Sequence, residues 1–170
     1  MSRSHSGSAR GCSGLSSTDK IVPRVGARVL LFDQNDHILL MSGFDPAHPQ
    51  VRYWFTPGGG VEAGETPRQG AARELYEETG LSIDEARLGP SVHWQEVDIP
   101  FDGAVYRQKQ AFFVVRTERF TPLLAALDPD ERRSVIGHRW WSPEELRSSG
   151  EVFYPDDLLD LIASAWQARE

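Results

Sequence analysis

The sequence predicts an α/β fold in one domain, on three observations. Stretches with the two-residue period of strands stand on both sides of a short, well-capped helix at 66–80, and an amphipathic helix closes the chain. The 170 residues are one domain's worth, enough for a single substantial core. Residues 1–20, rich in Ser and Gly and without an apolar period, are expected to be a disordered extension, leaving 21–170 as the folded domain.

Taken in order, Val25, Ala27, Val29 and Leu31 alternate with Arg24, Gly26, Arg28 and Leu30, and the turn Asp33-Gln34-Asn35-Asp36 leads into a second strand at 37–41. Residues 44–50 hold Pro46 and Pro49 and are expected as a surface loop at the rim of a site. A short strand at 52–56 delivers the chain into Pro57-Gly58-Gly59-Gly60, where glycines let backbone approach a ligand closely. Beyond the capped helix, runs at 92–99 and 104–116 bracket Phe101-Asp102-Gly103, a hairpin signal, and the apolar run 111–115 reads as a central strand. Gln108 and Lys109 must take opposite faces there, so only one is turned to a site. A strand at 135–141, a helix capped by Ser142 with Glu145, and a last helix at 155–168 follow. Leu158, Leu159, Ile162, Ala163 and Trp166 are the expected core stripe of that last helix.

The helix at 66–80 carries the chemistry. Thr66 is a good N-cap, Pro67 suits the first helical position, Gln69 completes a capping box, and Gly80 stops the helix. Ala71, Ala72 and Leu75 form a small apolar stripe, while Glu74, Glu77 and Glu78 stand at i, i+3 and i+4 on an adjoining face. Carboxylates so placed repel one another and call for a cation. A hard divalent ion, Mg²⁺ or Mn²⁺, suits oxygen donors and bridges to phosphate oxygens. Arg73, one turn before Glu77, is placed to pair with Glu77 or Glu65 and hold a carboxylate.

Composition narrows the partners. A formal net charge of −7 and a pI near 5.2 argue against a broad nucleic-acid-binding face, though not against phosphorylated small molecules. No apolar run approaches membrane-spanning length. The single cysteine, Cys12, rules out an internal disulfide and fits a reducing, cytoplasmic setting.

Gly59, Glu65, Arg73, Glu74, Leu75, Glu77, Glu78, Gly80 and Leu81 together match the pattern G-x5-E-x7-R-E-U-x-E-E-x-G-U, with U aliphatic, at every fixed position. This stretch resembles the Nudix box. The order of elements around it is similar to the Nudix α/β/α sandwich with a mixed sheet and a loop-helix-loop catalytic motif. The resemblance implies Mg²⁺- or Mn²⁺-dependent hydrolysis of a nucleoside diphosphate linked to another moiety. Nucleoside triphosphates, oxidised ones included, are the default substrate; ADP-ribose, nucleotide sugars or a non-catalytic nucleotide-binding regulator are the alternatives.

The same resemblance assigns the metal shell to Glu74, Glu77, Glu78 and the Gly59 carbonyl, with Glu65 and Arg73 in support. The general base is Glu77 or Glu78, or an acid from the loop near 128–133, with Glu131 ahead of Asp130 and Asp128. Arg24, Arg28, Arg52 and Trp54 are candidate substrate contacts, against the plainer readings of solvated arginines and a packed tryptophan. His93 is a candidate base against a structural strand histidine. An isopentenyl diphosphate isomerase shares the fold, but would need a catalytic cysteine that Cys12 cannot supply. The expected partner is a small nucleotide, without stable nucleic acid or membrane, and many relatives are homodimers.

Overall fold

The computed structural model describes residues 21–123 and 131–167. Its strands are β1 (Ile21–Phe32), β2 (Ile38–Asp45), β3 (His48–Phe55), β4 (Gly58–Gly60), β5 (His93–Phe101), β6 (Ala104–Arg116), β7 (Val135–Trp141) and β8 (Phe153–Tyr154). Its helices are α1 (Pro67–Thr79), α2 (Glu131–Ser134), α3 (Pro143–Ser148) and α4 (Leu158–Gln167), with a 3-10 turn at Glu85–Leu88.

The long alternating run that opens the domain becomes β1, and the sheet is assembled around it. β1 lies parallel to β6 along its whole length, from Ile21↔Val105 to Phe32↔Arg116. It also pairs antiparallel with β4 at Gly26↔Gly60 and with β2 at Phe32↔Ile38. The order is β5-β6-β1-β2-β3-β8, with β4 beside β1 and β7 beside β2, a mixed sheet. Alternation along β1 feeds two cores. Ala27, Val29 and Leu31 pack with Ala71 and Leu75 of α1 on one face, and Leu30 and Phe32 pack with Leu158, Leu161 and Ile162 of α4 on the other. Helices therefore cover both faces, the three-layer arrangement expected from the sequence.

The turn between β1 and β2 is built on a carboxylate. Asp33 is completely buried, and its Oδ1 accepts from the Asn35 and His37 N–H groups at 2.8 and 2.9 Å while Arg119 Nε donates to Oδ2 at 2.7 Å. Burial alone would raise its pKa, but the His37 and Asn35 amides and Arg119 outweigh it and hold the carboxyl below its ordinary 3.8. A depressed folded-state pKa gives stability that is present above the unfolded value and lost as pH falls through the folded one. Asp33→Asn is accordingly expected to cost about 1–3 kcal/mol at pH 7, with the gap to wild type closing as pH drops below about 4. Urea titrations at pH 7 and pH 3 check this; an equal gap at both values would refute it.

Several elements differ from expectation. Residues 44–50 form a hairpin instead of a loop, because Asp45 Oδ1 accepts from Ala47 N–H and from Asp102 N–H of the β5–β6 turn, each at 2.9 Å, which closes the reversal early. Pro49 falls in the bulge between the pairs Asp45↔His48 and Phe44↔Arg52, where no ladder N–H is missed. The stripe of α4 is Leu158, Leu161, Ile162 and Ala165, the i, i+3, i+4, i+7 set, and Leu159 and Ala163 are exposed. α2, β4, β8 and the 3-10 turn are additional; each is four residues or shorter, too brief to leave a periodic signal. The β5–β6 hairpin follows expectation, with Asp102 and Gly103 both at positive φ, 48° and 77°.

Candidate active site

The capping chemistry sets α1 at the required angle. Thr66 Oγ1 accepts from Gln69 N–H at 3.2 Å, Gln69 Oε1 accepts from Thr66 N–H at 2.9 Å, and Gly80, at φ 76°, donates its N–H to the Tyr76 carbonyl. The acids are distributed differently from the sequence expectation. Ala71, Glu74, Leu75 and Glu78 share the inward stripe of α1, so Glu74 and Glu78 are buried, at 5% and 3% exposure, while Glu77 is half-buried. The apolar stripe and the acidic face overlap because i, i+3, i+4 and i+7 fall on one side of a helix.

Two buried carboxylates need donors, and the glycine turn supplies one. Gly58 N–H donates to Glu78 Oε2 at 2.6 Å. A Cβ on Gly59 would stand 2.5 Å from Glu74 Oε1, so that glycine is what lets the Glu74 carboxylate lie against the backbone.

Arg73 ties the rest together. Its Nε and Nη2 donate to Glu65 at 2.9 and 3.1 Å, Nη1 to Glu74 Oε1 at 3.1 Å and Glu77 Oε2 at 3.0 Å, and Nη2 also to the Gly60 carbonyl at 2.8 Å. Sequence placed Arg73 on Glu77 or Glu65; it holds both, and Glu74 besides. The Arg73 bonds keep the Glu65 carboxyl below its usual range, and Glu65 in turn raises the Arg73 guanidinium above its own.

Among the described residues, no three His, Cys, Asp or Glu side chains converge as a ready metal cluster. Arg73 occupies the space between Glu74 and Glu77 and provides the positive charge there. The donor set nevertheless suits a hard divalent cation: carboxylate oxygens of Glu74, Glu77 and Glu78 beside the open backbone at Gly59.

Arg28 was expected either at substrate or in solvent. It lies in the floor of the site, with Nη1 donating to the Gly58 carbonyl at 2.6 Å and the Thr56 carbonyl at 3.2 Å, and Nε reaching Gln110 Oε1 at 3.4 Å. Burial lowers its pKa, opposed by the nearby Glu78 and Glu74 charges. Arg24 lies across Gly60, where a Cβ would collide with its guanidinium, and its Cζ is 5.8 Å from the Tyr106 ring centroid. Arg52 is exposed on β3.

Trp54 packs edge-on against Trp141 at 5.0 Å and donates its indole N–H to Glu151 at 3.2 Å, which puts it in the core on the α4 side. His93 is half-buried with its ring 6.0 Å from Phe112. Asp128 and Asp130 lie outside the described residues; Glu131 begins α2, and its side chain lies outside them too. Gln110 is not singled out by the sequence. The signal that points to it is its even-numbered spacing with Gln108 on β6, which puts both on the face of Arg24 and Arg28.

Known proteins resemble this chain in sequence and in fold. The model of the NUDIX domain matches residues 22–160. The RNA pyrophosphohydrolase of Aliivibrio salmonicida is 41% identical over 129 residues, 69% of this chain and 75% of that one. The RNA pyrophosphohydrolase of Aliivibrio fischeri (strain MJ11) is 41% identical over 101 residues, 53% of this chain and 59% of that one, so the chain spans only about three fifths of this second relative. Among solved structures, the MutT protein of Methanosarcina mazei Go1 superposes with a TM-score of 0.62 at 17% identity, covering 91% of this chain and 100% of that one, a likeness of fold. Among the described residues, no helix is long and apolar enough to cross a membrane.

Proposed function

Because the chain belongs to the Nudix hydrolase family, a family of pyrophosphohydrolases that use divalent metal ions, we propose that it hydrolyses a nucleoside diphosphate linked to another moiety, with nucleoside triphosphates as the default substrate. The observation that carries the reading is the pair of buried carboxylates, Glu74 and Glu78, pressed against the glycine turn at Gly58 and Gly59. Burying two acids beside backbone serves packing poorly and serves phosphate chemistry well.

Glu74, Glu77, Glu78 and the Gly59 carbonyl would hold Mg²⁺ or Mn²⁺, which when bound neutralises charge on the pyrophosphate oxygens and acidifies the attacking water. Arg73 holds Glu65, Glu74 and Glu77 in one ion-pair network, and its guanidinium must yield its bonds to Glu74 and Glu77 where a cation takes their oxygens. The proton from water goes to Glu77, the most accessible of the three, or to Glu78, or else to Glu131 from outside the box. Arg28 and Arg24 lie beside the turn on the side where a polyphosphate chain would run, and supply positive charge to its oxygens. Trp54 is assigned to packing.

A second reading, action on RNA, is favoured by the names of the relatives at 41% identity, which are RNA pyrophosphohydrolases. Against it stands the net charge of −7, which weakens attraction to a polyanion. A panel of nucleoside triphosphates, nucleotide sugars, ADP-ribose, diadenosine polyphosphates and a 5′-triphosphorylated oligoribonucleotide separates these, assayed for released phosphate species with Mg²⁺ and again with EDTA. Turnover of at least one nucleotide with Mg²⁺, and of none in EDTA, is the expected result. Tight binding across the panel without turnover would make the protein a nucleotide-binding regulator and overturn the proposal.

A further inference from the structure

Four strands present one row of residues beside the glycine turn: Gln95 on β5, Gln110 on β6, Gly26 on β1 and Gly60 on β4, joined by the registers Gln95↔Gln110, Gly26↔Gln110 and Gly26↔Gly60. Cross-strand partners point to the same side, so two glutamines face a hollow left by two glycines. Flexible side chains fill that hollow. A Cβ on Gly26 would stand 2.2 Å from Gln108 Nε2, and one on Gly60 would stand 2.3 Å from Arg24 Nη2.

The amides in this row are oriented and under-used. Gln110 Oε1 accepts from both Gln108 Nε2, at 2.9 Å, and Arg28 Nε, which leaves the Gln110 NH₂ as a donor and the Gln108 carbonyl as an acceptor. Gln108 and Gln110 are only 2% and 4% exposed. Gln95 Nε2 is shut off from solvent and has no hydrogen-bond partner among the described residues. A buried NH₂ without a partner costs stability, and a row with donors and an acceptor left over is explained by a ligand that completes it. The groups are neutral and mixed in polarity, so they fit a planar edge carrying both donors and acceptors better than a phosphate, which the neighbouring arginines fit instead.

We propose that Gln95 and Gln110 read the base edge of the nucleotide, with the base seated over Gly26 and Gly60 once Gln108 and Arg24 swing aside. This rests on the nucleotide reading above and extends it by naming the residues that choose among bases. The test is calorimetric binding of AMP, GMP, CMP, UMP and the base-free ribose 5-phosphate in EDTA, to wild type and to Gln95→Leu, with thermal melting of both. Wild type is expected to prefer at least one nucleotide to ribose 5-phosphate by about tenfold or more, and Gln95→Leu to erase roughly tenfold of that preference while binding ribose 5-phosphate as before. Gln95→Leu should melt no lower than wild type, since it removes an unpartnered buried amide.

A purely structural glutamine gives the opposite pattern, a lower melting temperature with base preference intact, and that result overturns the proposal. Failure of the folded wild type to distinguish any nucleotide from ribose 5-phosphate overturns it as well. The triphosphate panel keeps the two readings apart. Selective base binding without turnover removes the hydrolase reading alone, whereas equal turnover of all four triphosphates removes base reading alone.

Discussion

Glu78→Gln is expected to lower kcat by at least about a hundredfold, close to 3 kcal/mol in the barrier, in a protein that stays folded. The carboxamide keeps an oxygen to accept the 2.6 Å bond from Gly58 N–H, so the link between α1 and the glycine turn survives. What disappears is a negative charge in a 3% exposed position, and without it neither cation binding nor proton acceptance can proceed at that residue. The lost charge also leaves the buried Arg28 guanidinium without one of the acids that oppose its desolvation, so melting should fall somewhat while the fold holds. Glu77→Gln, at the half-buried end of the Arg73 network, is expected to fall by a similar factor. Initial rates on the best substrate of the panel, with melting curves alongside, provide the check. Near-wild-type turnover in both variants would contradict the assignment of the box carboxylates.

Gly58→Ala should cost stability by roughly 3–5 kcal/mol or prevent folding altogether. Gly58 adopts φ 133°, a conformation L side chains rarely reach, and a Cβ there would stand 2.2 Å from the Ala27 carbonyl oxygen and 2.7 Å from Arg28 Cα. Those atoms are backbone of the central strand and cannot step aside. Gly59→Ala makes the informative contrast. The three atoms nearest its added Cβ all belong to the Glu74 carboxylate, the far end of a side chain and not backbone, so it should fold with less loss while displacing Glu74 and lowering activity. Urea melts of both variants test the pair. Equal stability of Gly58→Ala and wild type would show that the turn can relax, and the close approach of β4 to β1 would then not define the site.

The distinction between those two glycines could not be read along the chain, where Gly58-Gly59-Gly60 is a run of identical letters. Which one is backed by Ala27, which by Glu74 and which by Arg24 depends on β4 lying against β1, a contact between residues about thirty apart in sequence. Arg28 shows the same limit. Alternation put it on a strand face, but only the folded sheet shows that this face is roofed by the Gly58 carbonyl, so the arginine holds backbone instead of standing in water. Gln95, Gln108 and Gln110 are scattered polar letters until β5, β6 and β1 are put in register.

Local chemistry, by contrast, was legible wherever the relevant partners are a few residues apart. The Thr66 and Ser142 capping boxes, the Gly80 stop and the Asp102-Gly103 turn are all set by neighbours in sequence, and all occur as the residue types demand. The three glutamates were legible for the same reason, since helical spacing fixes their mutual positions. Their burial was not, because Glu74 and Glu78 share the inward stripe with Ala71 and Leu75, and only a sheet carrying its own donors at that spot makes acids acceptable there. The sequence by itself thus determined the helix, its ends, its acids and the family; tertiary structure decided which charges are buried and which backbone meets them, because those depend on distant strands and their register.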